Sequence, residues 1–120
     1  MTGFERWDVL KALFPFVDLP LRKPRPVLVL SDRAFNDGHG HVIAAMITTG
    51  AGSRWPSDHA ILDLARAGLR TPSVVRWKLF TLPASVVGGR LGTMAATDRD
   101  ALASRLGHIL MPAGDPAPRA

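Results

Sequence analysis

Apolar positions along the chain fall into short runs divided by turn residues. In Trp7–Phe14, Val9, Lys11 and Leu13 alternate with Asp8, Leu10 and Ala12; this predicts a strand with apolar side chains on both faces. Pro15–Pro24 holds three prolines and the cluster Arg22-Lys23-Pro24-Arg25, and is expected as a loop. Pro26–Ser31 (PVLVLS) is short, β-branched and bounded by turn residues, as a buried strand is. Asp32–Gly40 is expected as a turn, because Asn36-Asp37-Gly38 is a strong breaker. His41–Thr48 (HVIAAMIT) is the next predicted strand, and Thr49–Pro56 a flexible loop. His59–Leu64 reads as a strand, Ala67-Gly68 as a turn, and Ser73–Phe80 as a strand with Arg76 and Lys78 on one face. Leu82–Gly92 is expected as a connector. Thr97 with Asp100 three residues on resembles a capping box. Ala101, Leu102, Leu106, Ile109 and Leu110 follow at three-four spacing, so Asp98–Met111 is predicted as an amphipathic helix ended by Pro112.

About five short strands and one late helix define a mainly β, α+β chain: a small barrel or half-open sheet closed by a helix. One domain over residues 1–111 is expected, with residues 112–120 as a disordered tail. Absence of cysteine excludes disulfides, thiolate zinc sites and a cysteine nucleophile, and fits a cytoplasmic protein. No apolar run approaches the ~18 residues of a membrane span, and the N-terminus does not read as a signal peptide.

Charge changes the picture further. The net charge is +5, and twelve of the fifteen bases are arginine. No acid lies between Leu64 and Thr97, whereas Arg66, Arg70, Arg76, Lys78 and Arg90 do. A polyanion is therefore a partner to consider.

Arg25 opens one predicted strand and Thr48 closes the next. In an antiparallel pair the start of one strand lies beside the end of the other. A guanidinium and a hydroxyl would then meet at one rim, a combination suited to phosphate. Ordinary solvated strand ends fit the same pattern. Arg22, Lys23, Thr49, Arg54, Arg76 and Lys78 are candidates for an RNA groove, and Trp55 for stacking an unpaired base. Trp77, mid-strand, fits core or interface. His39 and His41 suit one face of a strand, where a metal site is conceivable; His41 and His59 are candidates for proton transfer.

Several of these segments together resemble the MazF/PemK family of toxin endoribonucleases. Arg25–Ser31 resembles its RPxLVxS strand. Trp7-Asp8-Val9 with Phe14-Pro15-Phe16-Val17-Asp18-Leu19 resembles its opening GDVV…FPFTDL. Val42–Thr48 is similar to its VIVAxIT strand, and Ala67–Leu69 with Pro72–Leu82 to its AGL…PS…K(L/I)xTL segment. The resemblance covers about residues 5–111. It implies an SH3-like barrel of five to seven short strands with a C-terminal helix, expected as a homodimer. It also implies a toxin of a type II toxin–antitoxin system that cuts single-stranded RNA without metal or other cofactor and pairs with a cognate antitoxin. The family's catalytic Arg and Thr map onto Arg25 and Thr48. In the implied reaction the RNA 2′-hydroxyl attacks the adjacent phosphate, so no enzyme nucleophile is needed. The chain departs from the pattern twice. Trp7 stands where the family usually has Gly. The acid many members carry shortly before the catalytic Arg is absent, Asp18 being the nearest candidate for proton transfer. A non-catalytic barrel of the same fold, binding a protein target as a gyrase poison does or holding RNA uncut, is the alternative.

Overall fold

The computed structural model describes residues 2–13, 23–50 and 52–112. Six strands form one antiparallel sheet: β1 (Asp8–Leu13), β2 (Pro24–Val29), β3 (His41–Thr48), β4 (His59–Ala60), β5 (Val74–Pro83) and β6 (Val87–Thr93). Their order is β4-β5-β3-β2-β1-β6. The end strands do not pair with each other among the described residues, so this is the half-open form of the expected barrel. Three helices accompany it: α1 (Arg33–His39), α2 (Leu64–Ala67) and α3 (Ala96–Leu110).

The apolar residues on both faces of β1 now have their reason, because the sheet is buried on both sides. One core gathers Val9, Leu28, Ala45, Ile47, Val75 and Trp77, and closes against Met94 and Leu102 at α3. The other gathers Leu10, Ala12, Val27, Val29, Val42 and Ala44. Successive strand residues thus enter different cores, as a period of two requires.

The structure corrects several expectations. Asp32–Gly40 is not a turn but helix α1: the Asp32 carboxylate caps it by accepting the Phe35 N–H at 2.8 Å, and Gly40 ends it in the left-handed region. Asn36 inside it is fully buried; its amide nitrogen donates to the Phe4 and Ser31 carbonyls. Tertiary anchoring has outweighed local turn chemistry. Only His59–Ala60 of the predicted His59–Leu64 strand pairs, because Asp63 caps α2 immediately afterwards. The predicted connector Leu82–Gly92 is the end of β5, a single 3₁₀ turn (Ala84–Val86) and β6. Pro24 begins β2 rather than ending a loop. Helix α3 begins at Ala96, and its preceding residue Ala95 makes no side-chain cap; the Thr97 capping box does not form. The remainder of the predicted Pro15–Pro24 loop and the tail after Pro112 lie outside the described residues.

Two glycines are fixed by contact. A Cβ on Gly92 would stand 2.4 Å from the Arg66 carbonyl oxygen, and one on Gly68 would stand 2.0 Å from that of Leu91. Helix α2 and strand β6 therefore approach backbone to backbone. Gly68 also has φ +76°, favoured by glycine alone.

Candidate functional site

Strands β2 and β3 pair Val27 with Met46, Leu28 with Ala45 and Val29 with Ala44. The paired rungs end at Val27 and Met46, and Arg25 and Thr48 each stand two residues beyond them, on the same face of the sheet. Ala12 of β1 pairs with Arg25 on the other side, and Thr48 pairs with Val74 of β5, which pairs with Ala60 of β4. Arg25 and Thr48 thus end neighbouring strands at the same rim of the sheet, both partly buried. The Thr48 hydroxyl oxygen accepts a long bond from the Gly50 N–H (3.4 Å), a role that leaves its own proton for a further acceptor.

Beside this rim opens a cleft of about 420 Å³, lined among others by Thr49, Arg54, Trp55, Asp58, Ser73 and Val74. Three of the residues expected to contact RNA, Thr49, Arg54 and Trp55, are therefore brought together next to Thr48. Arg54 and Trp55 are exposed.

Arg76 has a different place from the one its sequence position suggests. A bulge inserts Trp77 and Lys78 between the pairs Ala45–Leu79 and Met46–Arg76. Trp77 enters the first core, Lys78 stays exposed, and Arg76 is buried at 7% exposure. The Arg76 guanidinium donates to Asp58 through Nε (3.1 Å to Oδ1) and Nη2 (2.8 Å to Oδ2). It also donates to Ser53, through Nη1 to the hydroxyl (3.2 Å) and Nη2 to the carbonyl (3.1 Å). Asp58 Oδ2 also accepts the Trp55 N–H at 3.0 Å. The bonds from Arg76 hold the Asp58 carboxyl below its ordinary range despite desolvation, and Asp58 in turn raises the Arg76 pKa, so both groups remain charged. The sequence carried no sign of this pair, because the partners stand eighteen residues apart on different elements.

The histidines lie elsewhere. His41 begins β3 and is seven residues from Thr48 along the strand, ~23 Å at 3.3 Å per residue; its Nδ1 lies 2.7 Å from the His39 carbonyl. No group of three or more His, Asp or Glu is placed to hold a metal among the described residues. His59 pairs with Val75 of the first core and meets α3, with Nε2 2.8 Å from Asp98 Oδ1. The sheet therefore separates it from the face that carries Arg25 and Thr48. By its place in the sequence Asp98 is only a helix residue. It is fully buried and also accepts the N–H groups of Leu62 (2.9 Å) and Asp63 (3.0 Å). Burial pushes its pKa up, but the Leu62 N–H, the His59 ring and the Asp63 N–H outweigh that effect and hold it below the ordinary value. Lys23 is exposed just before β2. Arg22 and Asp18 lie outside the described residues.

Two of the five bases between Leu64 and Thr97 meet acids from the N-terminal half. Arg76 pairs with Asp58, and Arg90 lies 2.8 Å from Asp8.

A half-open six-stranded antiparallel sheet with one long C-terminal helix defines a small α+β domain. Residues 5–110 match the PemK-like, MazF-like toxin of type II toxin–antitoxin systems, and the chain belongs to that family. No curated protein matches it in sequence. Among solved structures it is similar to the Mycobacterium tuberculosis toxin MazF-mt6, at 28% identity and TM-score 0.66 over 84% of this chain and 93% of that one. A mycobacterial endoribonuclease solved in complex with its cognate antitoxin shares the fold at 24% identity and TM-score 0.69, covering 98% of this chain and 100% of that one. So does MazF of Deinococcus radiodurans in a MazE–MazF crystal, at 20% identity and TM-score 0.70 over 88% and 94%. No helix among the described residues is long and apolar enough to cross a membrane.

Proposed function

We propose that this toxin is an endoribonuclease that cuts single-stranded RNA without a metal, acts as a homodimer and is silenced by a cognate antitoxin. The observation that supports this reading is the shared rim of β2 and β3, where Arg25 and Thr48 lie on one face of the sheet near the cleft of Thr49, Arg54 and Trp55. The RNA 2′-oxygen attacks the adjacent phosphorus and the 5′-oxygen leaves. The ends produced are a 2′,3′-cyclic phosphate and a 5′-hydroxyl; the 2′-hydroxyl gives up its proton and the leaving oxygen gains one. Arg25 stabilises the charge of the phosphorane, and Thr48 donates to a phosphate oxygen. DNA is not a substrate, because it lacks the 2′-hydroxyl. Of the three proton-transfer candidates, His41 stands at the far end of β3 and His59 on the opposite face of the sheet, so the third, Asp18, is the one to test by Asp18→Asn.

The test is cleavage of single-stranded RNA in the presence of EDTA, with end-group analysis. Arg25→Ala is expected to lose at least ~100-fold, about 3 kcal/mol of transition-state stabilisation, and Thr48→Ala at least ~10-fold. Equal cleavage by wild type and Arg25→Ala, or no cleavage by the wild type, overturns the reading.

A further inference from the structure

We propose that Arg76 is a positioning residue. Its ion pair with Asp58 holds the 52–58 segment so that Trp55 faces the cleft beside Thr48, where a nucleotide flanking the cut phosphate stacks. This rests on the RNA-binding part of the function proposed above.

The geometry argues against the plainer role of phosphate neutralisation. Nε and Nη2 donate to Asp58, and Nη1 and Nη2 donate to Ser53; four of the five guanidinium N–H groups are thereby engaged within the protein. The positive charge is matched by a carboxylate at 2.8 Å, and both side chains are about nine-tenths buried. The same carboxylate accepts the Trp55 N–H, and the Asp58 N–H donates to the Trp55 carbonyl at 3.0 Å. Trp55 is therefore tied through its backbone to the ion pair. Its ring is tied as well, since the Arg76 guanidinium carbon lies 5.3 Å from the indole centroid, within cation–π range. Yet the indole is 41% exposed and lines the cleft. An aromatic held rigidly at a cleft edge offers a stacking surface without the entropy cost of ordering a loop on binding.

The two roles predict opposite signs for one substitution. Asp58→Asn removes a negative charge and releases Arg76. If Arg76 served phosphate, RNA would bind more tightly; if Arg76 positions Trp55, RNA binds more weakly. Arg76→Lys keeps the charge but loses the planar fork that grips Asp58 and Ser53 together. The probe is a fluorescein-labelled, 2′-O-methylated single-stranded RNA of mixed sequence, which cannot be cut, read by anisotropy. Acrylamide quenching of Trp55, taken as the difference from Trp55→Phe, reads the loop in the free protein. Expected are ~10-fold weaker binding for both Asp58→Asn and Arg76→Lys, and ~2-fold stronger quenching of Trp55. Unchanged or tighter binding by Asp58→Asn overturns the proposal, as does wild-type binding by Arg76→Lys or failure of the wild type to bind the probe. Where Arg76→Lys does not melt cooperatively, Asp58→Asn decides. A wild type that binds the probe but cuts no RNA refutes the nuclease reading and leaves this one standing. A wild type that cuts RNA while Asp58→Asn binds normally does the reverse.

Discussion

Trp7 is the only non-glycine with positive φ among the described residues, at +75°. Its N–H donates to the Val29 carbonyl at 2.8 Å, and its carbonyl accepts the Met94 N–H at 2.9 Å. The turn that enters β1 thereby joins β2 to the approach of α3, and these two bonds hold the left-handed conformation in place. For an L residue this costs ~1–2 kcal/mol, offset here by packing of the indole on the first core. Replacing Trp7 separates the two effects. Trp7→Ala loses the packing and keeps the strain; Trp7→Gly loses the packing and removes it. Trp7→Gly is therefore expected to be the more stable of the two by ~1 kcal/mol in urea melts, the reverse of the usual Ala–Gly order. A more stable alanine variant would show that the turn stores no strain. Asp98 supplies a second test. Its folded pKa lies below the ordinary 3.8, so its stabilisation is complete above ~pH 5 and is lost as pH falls through the folded value. Asp98→Asn should cost ~3 kcal/mol at pH 7, and the gap to wild type should close below pH 3.8; a gap that stays constant with pH would mean the charge is not its source. Trp7 was legible as a departure from a glycine pattern. Asp98 was not, because its partners lie 35 to 39 residues away and belong to no local motif.

At the level of elements, strands were legible where alternation alone decides them. His41–Thr48 is found with its predicted ends, and the antiparallel pairing of β2 with β3 follows from two runs that each bury both faces. Elements that depend on distant anchors were not legible. Helix α1 contains Asn36-Asp37-Gly38, a turn by local chemistry, yet Asn36 is buried and the Asp37 carboxylate accepts the Thr2 and Gly3 N–H groups. These bonds, that of Gly3 foremost, outweigh desolvation and lower the Asp37 pKa to about 2. Strand β6 was hidden by its glycines, of which Gly92 is the one required by the approach of α2. Two glycine substitutions should consequently act in opposite directions. Gly38 lies inside α1 with open space around its Cβ position, so Gly38→Ala should stabilise the protein by ~0.5–1 kcal/mol. Gly92→Ala would set a Cβ 2.4 Å from the Arg66 carbonyl oxygen, must push α2 off β6, and should cost ~2–3 kcal/mol. Thermal melts of the pair decide the matter, and a neutral Gly92→Ala would mean that α2 is not pressed on β6.

On the scale of the whole molecule, the fold joins distant parts of the chain. The first strand lies between the second and the sixth, and Asp98 at the start of the last helix holds residues 59–63, the outer wall of the rim cleft. Composition raised the expectation of a small domain and a polyanion partner. It did not foresee that Asp58 and Asp8 would take up Arg76 and Arg90 from the basic half, because pairing across a sheet depends on topology rather than on charge counts. The position of Asp98 also orders events during synthesis. Arg25, Thr48 and Trp55 all leave the ribosome before the carboxylate that braces the wall beside them, and β1 waits for β6. A growing chain that ends short of Asp98 carries Arg25 and Thr48 without their fixed surroundings, so the rim takes its final form only once Asp98 has emerged.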